Sequence, residues 1–349
     1  MILTLILFIL ILGVIVLIHE GGHFIFAKIT GVHVYEFSIG MGPLIWKKIA
    51  KDKTQYSIRA IPVGGFVSLA GEEIDEEERK KTKGKNLQDK TIFQRFLVMF
   101  MGVGFNFISA FVILFLAGII GGAPSTEPII NDVTEGYPAA VAGLEKGDKV
   151  LEINDRKVSY LEDISLYLTV EDLTKPVEFK VEKQDKSQET YNIKPEKIKD
   201  EEGNTKYAIG IVLKAEVNEG IIPSIVYAFN EECAILKQMY IVLGSLFTGG
   251  VQLNQLSGPV GIFSIVDQMS EQGVSALLYL TALLSVNVGV INLLPFPAFD
   301  GGRILFLIIE KIKGSPVDPK IENTIHSIGF FLLILLMIYV TFNDILKLF

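Results

Sequence analysis

A single cysteine stands among the 349 residues of the chain. This excludes an intrachain disulfide and a thiolate zinc cluster, and Cys233, flanked by Glu231 and Glu232, makes a poor nucleophile. Charge is scarce as well, at 21% of residues against 50% apolar, which argues against a purely soluble protein. Basic residues are outnumbered by acidic ones, 32 to 40, for a net charge of -8. Nucleic acid is therefore excluded as the main partner, because phosphate binding needs a basic footprint. What remains to hold a metal is four histidines and the carboxylates.

The apolar residues are concentrated in runs. Residues 1–18 are interrupted only by Thr4 and Gly13, and the stretches 96–123, 272–299 and 323–343 carry no Asp, Glu, Lys or Arg. Each is long enough to cross a bilayer, which takes roughly 20 residues, so four spanning helices are predicted. The first run lacks the basic leader and A-x-A-like site of a cleaved signal peptide. Of the 32 basic residues, 13 lie in 28–95, 4 in 303–320, 14 in 123–272 and one at Lys347. The two shorter connections are then cytoplasmic and both termini external, since a connection of about 150 residues crosses largely regardless of its charge. The external segment holds 25 acids against those 14 bases, a net -11. Residues 238–266 are also uncharged, but Gly249, Gly250, Gln252, Asn254, Gln255, Gly258 and Pro259 break the stretch. It reads as an amphipathic helix and a surface loop rather than a fifth span.

His19-Glu20-Gly21-Gly22-His23 follows the first run. On a helix, residues four apart share a face, so both imidazoles can converge on one tetrahedral zinc while Glu20 reaches the water to be activated as a general base. Ionisable groups in a span cost about 2.5 to 3.5 kcal/mol each on insertion scales, which marks them as functional candidates. Gly21 and Gly22 either allow close helix packing or leave room for substrate. A catalytic zinc needs a third protein ligand, and Asp300 is the best supplier. It follows Pro295 and Pro297 at the end of the third run, where the backbone cannot stay helical and lines a cavity. With four spans, His19, His23 and Asp300 meet at one depth near the cytoplasmic face, whereas a fifth span would separate them. Asn292 is placed to bond a substrate carbonyl, or else to satisfy backbone freed by the prolines. Asn106 and Asn287 read as bonds between helices, and His33 and His326 as structural.

His19-Glu20-x-x-His23, Asn292-x-x-Pro295-x-Pro297-x-x-Asp300-Gly301 and the PDZ-type signature from Gly136 to Asn154 together resemble the site-2 protease family (peptidase M50). The likeness is nearest to the bacterial regulator of sigma-E protease group. Other matching stretches are Phe37-Ser38-Ile39-Gly40, Gly64-Gly65-Phe66-Val67, Leu256-Ser257-Gly258-Pro259 and Glu310-Lys311-Ile312-Lys313-Gly314. The resemblance implies a polytopic α-helical membrane protein with four transmembrane helices, a membrane-associated β-hairpin region and one extracytoplasmic PDZ-like α/β domain. It implies an intramembrane zinc metalloprotease, with His19, His23 and Asp300 as Zn2+ ligands and Glu20 as acid and base. Asn292, Gly65, Phe66 and Val67 would handle substrate. Its substrates would be transmembrane helices of single-span proteins, of the anti-sigma-factor or remnant-signal-peptide type, and its place the bacterial inner membrane. Two departures lie off the liganding atoms: Phe299 stands where Leu is usual, and Gly-Gly fills the motif's centre. A third is the single PDZ-like copy where some relatives carry two.

The expected divisions are residues 1–29 (first span with the zinc motif), 30–94 (re-entrant β region), 95–121 (second span) and 122–215 (PDZ-like domain). After them come 216–271 (external amphipathic helices and loop), 272–299 (third span), 300–322 (cytoplasmic loop) and 323–345 (fourth span). Short strands are predicted between Val32 and Gly71, a solvated connector over 72–90, and an amphipathic pair of helices over 221–247. A PDZ groove would take a peptide strand or C-terminus, or the domain would cap the site sterically, with membrane lipid as the surrounding solvent. The rival readings are a membrane-anchored peptidase for soluble peptides and a non-catalytic PDZ adaptor with a structural metal. A transporter is disfavoured because no inverted repeat is visible.

Overall fold

The computed structural model describes residues 1–72, 82–199, 205–248 and 256–347. Residues 73–81 of the connector expected over 72–90, and 249–255 of the loop expected within 238–266, lie outside the described residues. The described remainder of the connector is not simply solvated, since it carries a short helical turn at Leu87–Asp89 with Asn86 and Leu87 buried. The chain divides into two compact units, 1–113 with 254–349, and 114–253.

Among the described residues of the chain, four helices are long and apolar enough to cross a membrane: Ile2–Thr30, Ile92–Gly121, Val274–Leu293 and Lys320–Leu346. Each end has a local cause. The first span stops at Gly31, whose φ of 71° lets its N–H return to the carbonyls of Ala27 and Lys28. The third stops at Leu293 because Pro295 bars the preceding residue from helical dihedrals. The fourth starts at Asp318, whose carboxylate accepts the Lys320 N–H. Its flank of Phe330, Phe331, Leu335, Met337 and Ile338 is exposed, as a surface met by lipid tails would be.

Between the first and second spans, two long strands replace the short ones expected: β1 (Val34–Ile49) and β2 (Gln55–Leu69). Glycines with positive φ at positions 40, 42 and 64 let each strand bend without ending. Residues 36–39 thereby pair with 65–68 on one side, in opposite directions, and with 55–58 on the other, in a register that rises in step. Gly65 packs here, 2.5 Å from the Ser38 carbonyl oxygen to where a Cβ would sit. From the third span the chain runs through an irregular turn at 294–299 into the helix Asp300–Lys313.

The second unit folds around β3 (Lys149–Ile153), β4 (Val177–Glu182) and β5 (Gln188–Ile193), antiparallel in that order, with a short return at Arg156–Lys157 on the far edge of β3. Val177, Phe179 and Val181 point alternately inward to Ile130, Leu144, Ile153 and Ile164. The helix Leu161–Val170 is fastened at its start by Asp163, which accepts the Ser159 and Tyr160 N–H groups and pairs with Lys237. This is an α/β unit with small open sheets. The predicted pair of helices over 221–247 is instead one helix, Ile221–Thr248. Its proline, Pro223, falls in the first turn, where the missing N–H has no intrahelical partner to lose.

Candidate metal and catalytic centre

The first span carries His19 and His23 one turn apart, both buried. Two glycines let the second span approach them closely. A Cβ on Gly22 would overlap the Met101 carbonyl, and one on Gly102 would lie 2.5 Å from His23 Cε1. Gly21 faces open space. The alternatives left open in the sequence thus resolve residue by residue, with Gly22 serving packing.

Asp300 reaches the histidines from the start of its helix. Gly301 and Gly302 fold against the carbonyls of Leu293, Leu294 and Phe296, where no side chain would fit. His19 Nε2 lies 3.1 Å and His23 Nε2 3.3 Å from Asp300 Oδ2, and the two imidazole nitrogens are 3.2 Å apart. Tetrahedral zinc with bonds of about 2.0–2.1 Å sets its ligand atoms about 3.3–3.4 Å apart. The three atoms therefore mark one face of such a tetrahedron. Asp300 Oδ2 is buried with no hydrogen bond, a costly arrangement for a carboxylate that a cation would relieve.

The outer nitrogens are held too. His23 Nδ1 donates to the Val98 carbonyl at 2.7 Å, which turns the Nε2 lone pair toward Asp300. The amide of the fully buried Asn106 lies 3.2 Å from His19 Nδ1, and its oxygen has no partner. With that amide turned over, the oxygen accepts Nδ1–H and His19 too offers Nε2 as a ligand. Asn106 does bond between helices, as its sequence position suggests, but to a site residue. No motif spacing marked it.

Glu20 Oε2 accepts the Val67 N–H at 3.0 Å, so the free edge of β2 abuts the carboxylate. Phe66, Val67, Asn292 and Ala298 line a cavity of about 260 Å³ with the histidines, Glu20 and Asp300. Gly65 stays within the sheet, outside this lining. Asn292 Nδ2 donates to the Val288 carbonyl one turn back in its own helix, and its side chain borders the cavity. Arg303 also borders it and is ion-paired with Glu72. The Phe66 ring sits under the Arg59 guanidinium at 5.1 Å, and Arg59 pairs in turn with Glu36 at 2.8 Å.

The sequence profile of peptidase family M50 matches residues 7–336. The chain belongs to peptidase family M50. Among curated relatives of this M50 peptidase, the "Regulator of sigma-W protease RasP" of Bacillus subtilis is 33% identical over 422 residues, covering 99% of each chain. A Fusobacterium nucleatum protein named "Putative zinc metalloprotease FN1322" is 37% identical over 349 residues, again 99% of each. A solved domain of the listeria protein Lin2157 is 24% identical over 27% of this chain and 89% of its own, with a TM-score of 0.20, too low to establish a shared fold. The M50 assignment, the four spans and the His-His-Asp cluster make this chain an intramembrane zinc metalloendopeptidase.

Proposed function

We propose that the chain hydrolyses peptide bonds within transmembrane segments of single-span membrane proteins, with His19, His23 and Asp300 as zinc ligands and Glu20 as acid and base. The observation that carries this reading is the convergence of three ligand atoms, 3.1 to 3.3 Å apart, beside a glutamate in a membrane-spanning helix. Zinc bound there supplies a Lewis acid that polarises the scissile carbonyl and acidifies water. Glu20 takes the proton from the attacking water and delivers it to the leaving amine.

A transmembrane substrate arrives as a helix whose amides are already bonded internally. The edge of β2 at Phe66 and Val67 offers it an extended partner by strand addition, directly against Glu20. Asn292, on the cavity wall, handles the substrate carbonyl. The name of RasP, a regulator of sigma-W protease, supports a link to sigma-factor regulation, and the substrates proposed are of the anti-sigma-factor or remnant-signal-peptide type.

The charge distribution supports a bacterial inner-membrane topology with external termini and the site near the cytoplasm. On that topology residues 122–215 form an external PDZ-like domain whose groove takes a peptide strand or C-terminus. The test is co-expression of wild type and Glu20→Gln with candidate single-span proteins. Uncut intermediates accumulate only in the variant; identical patterns would refute the proposal. Val67→Pro removes the edge N–H together with its bond to Glu20, and should stop cleavage while leaving bound zinc unchanged.

A further inference from the structure

Among the described residues, the fourth span is the least buried of the four. Two of its residues nevertheless touch the turn that delivers Asp300. His326 Nδ1 accepts the Ala298 N–H at 3.0 Å. Three residues on, and so on the same helical face, Gly329 packs so tightly on Pro297 that a Cβ would lie 2.5 Å from its Cβ and 2.6 Å from its carbonyl oxygen. On its other side the His326 ring meets Phe306 of the Asp300 helix, with centroids 5.5 Å apart. One imidazole thus touches the backbone two residues before the ligand and a ring six residues after it.

The turn needs such support. Ala298 has a φ of 80°, in the left-handed region that residues with a Cβ avoid. Such backbone persists only where neighbouring contacts over-determine it. The N–H of Ala298 points to His326 rather than to another backbone carbonyl of the turn, so the bond that fixes this peptide comes from a different helix. From there only Phe299 separates the turn from Asp300.

We propose that His326 is a positioning residue for the metal centre, with the fourth span acting as a brace that sets where Asp300 Oδ2 stands. This rests on the reading of Asp300 as a zinc ligand. The bond requires an acceptor at the Nδ1 position. Asn can supply one through Oδ1 on the same Cγ, whereas Leu fills the space and supplies none. Outer-shell partners of metal sites change affinity by about 10- to 100-fold when removed.

The test measures zinc affinity of the purified full chain by competition with a chelator, alongside thermal unfolding and cleavage of a transmembrane substrate, for His326→Leu, His326→Asn and Asp300→Asn. The expected result is a 10- to 100-fold loss of zinc affinity in His326→Leu, largely restored in His326→Asn, with kcat falling more than KM rises. Zinc affinity in His326→Leu equal to wild type, or equal losses in the Leu and Asn variants, overturns the positioning role. Asp300→Asn separates the two readings. If it loses zinc while His326→Leu does not, only the brace is wrong; if it keeps zinc, the ligand assignment falls and the brace with it.

Discussion

Gly22→Ala, set against Gly21→Ala, tests the packing that builds the metal centre. By intrinsic helix propensity, each change strengthens the first span by about 1 kcal/mol. The structure predicts opposite outcomes. A Cβ on Gly21 meets nothing within 4 Å, whereas one on Gly22 would lie 2.6 Å from the Met101 carbonyl carbon and 3.0 Å from Gly102 Cα. Carbon atoms rest about 3.5–4.0 Å apart, so the first two spans must part locally by about 1 Å. Overpacking of that size costs about 1–3 kcal/mol. The shift falls on His23, whose ring rests on Gly102 and whose Nε2 stands 3.3 Å from Asp300 Oδ2. A misplacement of about 1 Å at a reacting centre lowers turnover about 100-fold. The assay is zinc content after dialysis against a weak chelator, followed by cleavage of a single-span substrate in detergent. Gly22→Ala should lose zinc and about two orders of magnitude in rate, while Gly21→Ala keeps its zinc. Wild-type zinc and rate in Gly22→Ala, or equal losses in both variants, would refute the reasoning.

Asp344, 3% exposed, accepts the N–H groups of Gly258 and Gly261 at 2.8 Å each and so caps the helix Pro259–Gln272 from the end of the fourth span. Asp344→Ala should lower stability by about 2 kcal/mol, read as an earlier thermal transition, and Asp344→Asn by less. Replacing Asn106 by Leu should lower zinc affinity by about 10- to 100-fold through His19, and competition with a chelator measures it. Burial pushes the Glu232 carboxyl up to about 7. Because the folded state then holds that proton more tightly than the unfolded chain, stability should fall as pH rises from about 4.5 through 7. Glu232→Gln should flatten that slope in thermal melts of the full chain, and an unchanged slope would reject the assignment.

Periodicity and motif spacing were enough to place the four spans, the His19 and His23 pair, Asp300 and the break at Pro295, because each is written in local sequence. What stayed hidden depends on a partner distant in the chain. Gly21 and Gly22 are indistinguishable until Met101 lies against one of them. Short strands are expected between Val32 and Gly71, yet in the sheet the glycines at 40, 42 and 64 are bends within two longer strands. The pair of helices expected over 221–247 is one helix because no proline or glycine falls between Ser224 and Leu243 to interrupt the backbone. His326 carries no ligand spacing, and its bond to Ala298 spans 28 residues.

On the proposed ligand set, the zinc face is assembled from groups 277 positions apart, His23 and Asp300. At translation speeds of about 5–20 residues per second, the histidines leave the ribosome roughly 15 to 60 seconds before the aspartate does. A nascent chain in the translocon therefore carries two thirds of a chelate and no hydrolase. Proteolytic competence arrives late in biosynthesis, when the third span has been threaded, and neighbouring newborn helices are spared until then.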